Sequence, residues 1–210
     1  MSASKKQAIY LIGYSGHAYV VIEAIDKKKY TVKGYFDFHE LTQNPYKIPY
    51  LGNEHDDFFV STVQNGYVFP SIGSNNTREK LIHTFNERDV AQINIISSSA
   101  IVSETALLGK SVFIAHGAII NAQTQIGNGS IINTGSIIEH ECKMGTCVHI
   151  APGVVLAGNV SVGNRTFIGA NTVVKQGVKI GQDVIIGAGS VIIRDIPDGK
   201  KIVGNPGREI

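Results

Sequence analysis

The chain has 210 residues, a formal net charge of +2 and only 17% charged residues. This length accommodates one large domain or two small ones with a substantial core. The low and balanced charge excludes an intrinsically disordered chain and argues against a nucleic-acid-binding surface. No stretch approaches the ~18 apolar residues of a membrane span, and only two cysteines are present. We therefore expect a cytoplasmic protein.

Residues 1–98 alternate short apolar strands with amphipathic helices. The pattern predicts strands at 8–12, 31–36, 67–72 and 92–96, helices at about 17–28 and 77–87, and an irregular stretch at 38–56. Strand–helix–strand units of this size are typical of a small parallel sheet of Rossmann-like type. We therefore predict an α/β domain that spans residues 1–98.

A six-residue repeat begins beyond residue 98. Every sixth residue is aliphatic in sixteen successive hexads: Val102, Leu108, Ile114, Ile120, Ile126, Ile132, Ile138, Met144, Ile150, Leu156, Val162, Ile168, Val174, Ile180, Ile186 and Ile192. A small or β-branched residue follows each of them four places later. Six is neither the helical nor the plain strand period, so the chain must turn at fixed intervals.

Short strands that are separated by regular turns predict a parallel β-solenoid over residues 99–210. Three hexads in each coil would give a triangular prism of about five coils, with the first and fifth positions of each hexad inside. The general preference for right-handed crossovers does not establish the hand of such a solenoid.

The hexads resemble those of the hexapeptide-repeat acyltransferases. Ile126-Gly-Asn-Gly-Ser-Ile and Ile186-Gly-Ala-Gly-Ser-Val are representative units, and Val203-Gly-Asn-Pro-Gly207 is similar to the family's usual ending. Together with Gly13-Tyr-Ser-Gly-His17 and the run that starts at Asn133, they make the chain similar to nucleotide-sugar N-acetyltransferases of the PglD/NeuD group. The resemblance implies a left-handed β-helix, a homotrimer and acetyl-CoA as co-substrate, with no metal.

Candidate chemistry lies where the repeat departs from small residues. The position after the hexad aliphatic residue is usually glycine or alanine, but it is Asn121, Asn133 and Glu139 in the middle coils. His140 and Glu141 follow directly. Such departures from a local rule are candidates for function.

Acetyl transfer to an amine needs a group that accepts the amine proton. Histidine suits this role because its ordinary pKa lies near neutral pH, and an adjacent carboxylate can fix its tautomer. We predict His140 as the general base with Glu141 as its partner, and Glu139 is the alternative partner. Their hexad columns do not face the core, so these side chains, like His149 in the next hexad, are expected to point to solvent or to a neighbouring subunit.

The resemblance implies further roles in binding acetyl-CoA. His149 would hold the thioester or the pantetheine arm, and the small residues Gly158, Ala170 and Ala188 would let pantetheine approach the backbone in a groove between subunits. His116 falls on another part of the coil than His140 and is interpreted as structural.

The resemblance also implies that the α/β domain binds a nucleotide-sugar acceptor. Its candidate residues lie in loops that follow the predicted strands: Gly13, Ser15, His17, Asp37, Gly73 and Asn76, with Asn133 from the solenoid. A strand-to-helix turn of this kind could cradle a phosphate with its N–H groups, but the turn lacks the third glycine of the dinucleotide fingerprint. Tyr14, Ala18 and Phe38 depart from the family's usual residues and are predicted to line the nucleotide pocket.

The most concrete prediction is acetyl transfer to the 4-amine of a UDP-linked 4-amino-4,6-dideoxy sugar. Three alternatives stay open: O-acetylation of a sialic acid or a related hydroxyl, a non-catalytic scaffold or nucleotide-sugar sensor, and a zinc-dependent carbonic anhydrase of the hexapeptide type. The last of these is disfavoured by the attached α/β domain. The residues alone do not identify the nucleotide or the sugar.

Overall fold

A computed structural model describes residues 6–210, and these residues form an α/β unit that packs on a three-faced β-helix. The α/β unit contains β1 (Gln7–Ile12), α1 (Gly16–Ala24), β2 (Tyr30–Phe36), α2 (Phe59–Val63), β3 (Gly66–Pro70) and α3 (Asn75–Glu87). Its three strands are parallel in the order β2-β1-β3. The carboxyl ends of all three strands therefore meet at one edge of the sheet, where α/β folds bind ligands.

The two longer helices form where apolar residues recur at helical spacing. α1 buries Ala18, Val21, Ile22 and Ala24, and it ends before Ile25, whose backbone is extended, rather than near residue 28. α3 begins after Ser74, whose side chain accepts a hydrogen bond from the Thr77 N–H. This cap satisfies one of the free amides at the start of the helix. α2 was not predicted from the sequence.

The solenoid strands lie on three flat faces of the prism. Face 1 contains Ile95–Ile96, Phe113–Ile114, Ile131–Ile132, His149–Ile150, Phe167–Ile168, Ile185–Ile186 and Lys201–Val203, with Arg208–Glu209 antiparallel at its end. Face 2 contains Ile101–Val102, Ile119–Ile120, Ile137–Ile138, Val155–Leu156, Val173–Val174 and Val191–Ile192. Face 3 contains Leu107–Leu108, Gln125–Ile126, Lys143–Met144, Ser161–Val162 and Lys179–Ile180.

The stacking repeats every eighteen residues, as three hexads in each coil require. Ile131, for example, pairs with Phe113 on one side and with His149 on the other. The first and fifth hexad positions fill the interior, where Ile132, Leu156 and Thr172 are fully buried. The predicted solenoid and its inward columns are confirmed, although it has about six coils rather than five.

The extra length has a local cause at the junction with the α/β unit. Ile95–Ile96, predicted as part of a strand of the α/β sheet, pairs instead with Phe113–Ile114 and starts face 1. Only Gln92 forms a bridge to Val68 in the α/β sheet. The Asn94 side chain bonds to the backbone of the next coil at Gly109 and Val112, which directs the chain into the solenoid. The strand was predicted, but in the wrong sheet.

Candidate active site

His140 and Glu141 lie together at the corner between faces 2 and 3. The His140 Nδ1 is 3.0 Å from the Glu141 Oε2, and about half of each side chain or more is exposed. Side chains of consecutive residues diverge on a flat strand. Here they converge because Glu141 has a φ of 62°, in the left-handed region that forms this corner. The bond leaves Nε2 of the imidazole pointing away from the carboxylate.

Gly158 lies one coil beyond His140 on the same corner. The Asn159 N–H donates to the His140 carbonyl at 2.8 Å, so these two corners are directly stacked. A Cβ atom at position 158 would lie 2.5 Å from Cε1 and 2.6 Å from Nε2 of His140. Only glycine leaves space for the imidazole in this position. The structure thus brings Gly158 to the proposed base, whereas its predicted role in binding acetyl-CoA stays a prediction.

His149 and His17 form a second cluster, where α1 packs on face 1. The two imidazole centroids are 6.3 Å apart, and the Asn133 Nδ2 lies 3.4 Å from the His149 Nε2. Phe113 and Phe167 pack edge-on against His17 and His149 respectively. The expectation that His149 points to solvent or to a neighbouring subunit is wrong, because the α/β unit of the same chain covers it.

Burial determines the protonation of both imidazoles. Loss of solvent, together with the smaller effect of the positive charge of Arg78, lowers the pKa of His17 and of His149 to about 4. Both rings are therefore neutral at pH 7. Within residues 6–210 the His17 Nε2 and the His149 Nδ1 are buried and make no hydrogen bond. Two unpaired polar atoms in one cluster are unusual in a folded protein and indicate a ligand site.

Three loops meet at the carboxyl edge of the α/β sheet. In the loop after β1, Gly13 has a φ of 88°, and a Cβ there would collide with the Ile72 side chain. The Asp37 carboxylate, after β2, accepts hydrogen bonds from the backbone N–H groups of Tyr14 and Phe38. Asp37 therefore holds the loop after β1 in place. Its proposed contact with a nucleotide stays a prediction.

The residues around these loops differ in exposure. Ser15, which precedes α1, is exposed and its side chain makes no capping bond. Phe38 is 76% exposed. Tyr14 and Ala18 are fully buried, and Tyr14 stacks on Tyr35, so their predicted place in the wall of an open nucleotide pocket is wrong. The sequence cannot show this, because a loop tyrosine has the same local pattern whether it points inward or outward.

The β3–α3 loop (residues 71–74) faces the solenoid. Gly73 and Asn76 line a groove of about 320 Å³ together with Arg165, Phe167 and Asp183. Both are exposed, and Gly73 has open space around its Cα. The sequence-predicted loop residues therefore lie at a concave surface between the two units.

Ala170 and Ala188 are stacked on a different corner, between faces 1 and 2. His116 is on this corner as well, where its Nδ1 lies 2.6 Å from the Ser97 hydroxyl oxygen. Gly158 is on the corner between faces 2 and 3, so the three small residues predicted to bind acetyl-CoA are not brought together within one chain. The width of face 2 separates them.

The same geometry separates the two histidine clusters. His149 is on face 1, whereas the corner that carries His140 is the edge of the prism opposite face 1. The filled core of the solenoid lies between them. The two clusters of one chain therefore lie on opposite sides of the prism.

Two arginines that connect the units were not singled out in the sequence. Arg78 in α3 is fully buried, and Arg165 pairs with Glu79 of α3 and with Asp183. A signal for Arg78 was present, because it shares the apolar face of α3 with Leu81, at i+3, and Phe85, at i+7. A charged residue on a buried face indicates a specific set of partners.

Known proteins resemble this chain over nearly its full length. Residues 8–85 match the model of the PglD N-terminal domain, and residues 159–194 match that of the bacterial transferase hexapeptide repeat. A perosamine N-acetyltransferase from Caulobacter crescentus, solved as a histidine-to-asparagine mutant with CoA and GDP-perosamine, is 36% identical. The alignment covers 97% of this chain and 96% of that one, with a TM-score of 0.89.

Two further proteins extend the comparison. The acetyltransferase domain of PglB from Neisseria gonorrhoeae FA1090, in complex with acetyl coenzyme A, is 26% identical with a TM-score of 0.91, over 98% of this chain and all of that one. Protein L142 of Acanthamoeba polyphaga mimivirus is 31% identical over 120 residues. That match covers 57% of this chain but only 24% of the viral protein.

The fold and the repeat define the class: this is a hexapeptide-repeat acyltransferase with a left-handed parallel β-helix. Within that class the chain belongs to the family of acetyl-CoA-dependent sugar N-acetyltransferases that carry a PglD-type N-terminal domain. Residues 6–210 contain no group of three or more metal-ligating side chains. No helix in that range is long and apolar enough to cross a membrane.

Proposed function

We propose that this protein transfers the acetyl group of acetyl-CoA to the 4-amine of a 4-amino-4,6-dideoxy sugar that is linked to a nucleoside diphosphate. The observation that carries the proposal is the exposed His140–Glu141 pair, in which the carboxylate is 3.0 Å from Nδ1. With its proton on Nδ1, the imidazole presents the lone pair of Nε2 as a base.

The chemistry requires one base and no covalent enzyme intermediate. The amine nitrogen attacks the thioester carbonyl and forms the C–N bond, while the His140 Nε2 accepts a proton from the amine. The C–S bond then breaks, and the sulfur leaves with the electron pair and takes up a proton, which yields CoA thiol. Glu141 stabilises the imidazolium that exists between these steps.

Face 2 supports a homotrimer in which neighbouring chains complete each site. Its outward side chains are all aliphatic: Ile101, Ile119, Ile137, Val155, Val173 and Val191. The outward residues of face 3 beyond Leu107 are Gln125, Lys143, Ser161 and Lys179. Face 1 is also apolar at Ile95, Phe113 and Ile131, but the α/β unit buries that part of it. Face 2 is therefore the apolar stripe that the rest of the chain leaves uncovered, which is typical of a subunit interface.

An interface through face 2 would bring together the two histidine clusters that lie apart within one chain. Face 2 is bounded by the corner of His140 on one side and by the corner of Ala170 and Ala188 on the other. Chains that associate through this face can bring the His140 of one subunit towards the His17–His149 cluster of the next. Acetyl-CoA would lie in the groove between the two solenoids, close to the small residues.

The acceptor would be held by the loops at the edge of the α/β sheet. The two unpaired nitrogens of His17 and His149 are available to hydroxyl groups of the sugar, and the exposed N–H groups before α3 to a phosphate. The resemblance in sequence favours UDP, whereas the Caulobacter enzyme was solved with GDP-perosamine. A competition assay with UDP- and GDP-linked amino sugars decides between them.

The test is an acetylation assay with His140→Ala and Glu141→Gln variants. We expect His140→Ala to lower kcat by about 10²–10⁴-fold, the usual contribution of a general base. Glu141→Gln keeps the size of the side chain and removes its charge, and it should cost about 10- to 100-fold. Release of CoA thiol with an amine acceptor, but not with the matching hydroxyl sugar, is the expected result. Unchanged turnover in His140→Ala would refute the proposal and favour a non-catalytic role.

A further inference from the structure

Arg78 is a fully buried cation whose acceptors are all oxygen atoms of uncharged groups. Its side chain lies between α3 and the solenoid, on the same face of α3 as Leu81, Ile82 and Phe85. A buried guanidinium is costly unless every N–H group is satisfied. The distribution of its hydrogen bonds therefore shows what the residue holds together.

All five N–H donors of the guanidinium are used. The Nη1 group donates to the carbonyls of Ile72 and Gly73, each at 3.0 Å. The Nε group donates to the Gly129 carbonyl, and Nη2 donates to the Cys147 carbonyl at 3.0 Å and to the Asn75 Oδ1 at 2.8 Å. Five bonds match the five donors of arginine, so no other side chain reproduces this set.

These partners belong to two separate parts of the fold. Ile72 and Gly73 are in the β3–α3 loop, which lines the groove next to Phe167. Gly129 and Cys147 lie one coil apart on the corner between faces 3 and 1. A single planar group therefore fixes the distance between the loop and the solenoid.

The charge of Arg78 also acts on the histidine cluster. After burial, it is the next cause that lowers the pKa of His17 and of His149. Among the described residues, the ionisable groups that affect these imidazoles are Arg78 and, for His149, also His17. Removal of a nearby positive charge makes an imidazolium easier to form, so it raises the pKa of both rings.

We propose that Arg78 is a positioning residue that holds the β3–α3 loop at a fixed distance from the His17–His149 cluster, so that the acceptor can contact both. This inference rests on the proposed function, because it assumes that the loop binds the nucleotide-sugar. Arg78 itself lies beneath the site and does not touch the acceptor. It acts on acceptor affinity and leaves the binding of CoA unchanged.

The experiment compares Arg78→Lys, Arg78→Met and Asn75→Ala with wild type by calorimetry, with CoA and the UDP- or GDP-linked 4-amino sugar titrated separately. Lysine has three donors, so at least two of the five acceptors lose their bond. We expect Arg78→Lys to weaken nucleotide-sugar binding about tenfold or more, since a displaced binding group can cost up to about 10²-fold. CoA affinity should stay within about twofold. Arg88→Lys, at the other end of α3, is the matched control and should change neither.

Asn75→Ala keeps the test valid if Arg78→Met does not fold. Its amide donates to the Arg165 carbonyl at 2.8 Å and its Oδ1 accepts from Arg78, so the variant loosens the start of α3 from the solenoid while the cation stays. In Arg78→Met the pKa of the His17 and His149 rings, followed by NMR of their ring protons, should rise, whereas Arg78→Lys keeps the positive charge and should not raise it. Variants that lose thermal stability but bind the nucleotide-sugar like wild type would overturn the proposal. An equal loss of affinity for CoA and for the nucleotide-sugar would also overturn it. If wild type binds both ligands without acetyl transfer, the proposed reaction fails, but the affinities still test Arg78.

Discussion

Substitution of Gly158 by alanine tests whether the position of the His140 imidazole controls the reaction. The new Cβ atom would lie 2.5 Å from Cε1 of the ring, whereas ordinary contacts begin at 3.4 Å. The ring must therefore move by about 1 Å, which breaks its alignment with Glu141. Gly158 does not have a positive φ, so alanine itself is not strained there.

The expected result is a loss of turnover without a loss of stability. The imidazole is half exposed and can rotate away, so the melting temperature should change little. A displacement of about 1 Å in a reacting group can lower kcat by up to about 10²-fold. The assay is steady-state release of CoA thiol at saturating acceptor, together with thermal unfolding.

A double-mutant cycle with His140→Ala provides the control. If Gly158→Ala acts only by displacing the ring, it should have no further effect on kcat when the ring is absent. An equal loss of kcat in both backgrounds would refute this reasoning. A raised KM for acetyl-CoA with unchanged kcat would also refute it, and would support the role of Gly158 in binding pantetheine.

Two further predictions concern assembly and pH. Val155→Lys places a charge in the middle of face 2, so it should dissociate the proposed trimer in analytical ultracentrifugation and abolish acetyl transfer in the thiol assay. Ser161→Lys on face 3 should change neither. His149 has a pKa of about 4 in the folded chain and an ordinary value of 6.5, so the unfolded chain binds more protons between these values and stability falls as pH decreases through this window. The free energy of unfolding, measured with urea, should therefore decrease between pH 7 and pH 4. His149→Phe should make this decrease smaller by up to ~3 kcal/mol. An unaltered slope in His149→Phe would contradict the assigned burial.

The repeat in the sequence predicted more of this protein than any single motif. A hexad constrains its own residues, because each hexad contains one short strand and the turn that follows it, and side chains alternate between interior and surface along the strand. For that reason the interior columns, the eighteen-residue stacking and the corner that joins His140 to Glu141 could all be predicted from local spacing. The stacking of Gly158 next to His140 followed from the same arithmetic.

Contacts between distant parts of the chain could be found only in the tertiary structure. The outward position of His149 was correctly inferred from its column, but whether solvent, another subunit or α1 covers that column depends on where the α/β unit packs. The same holds for Tyr14, which turned inward, and for Ile95–Ile96, which joined the solenoid. A periodic pattern determines the face on which a side chain lies. The group that covers the side chain on that face depends on how the two units pack, and this packing produces no periodic pattern in the sequence. Arg78 is an example of this difference. Its place on an apolar helix face is visible in the sequence, but its five acceptors are brought together only by the fold.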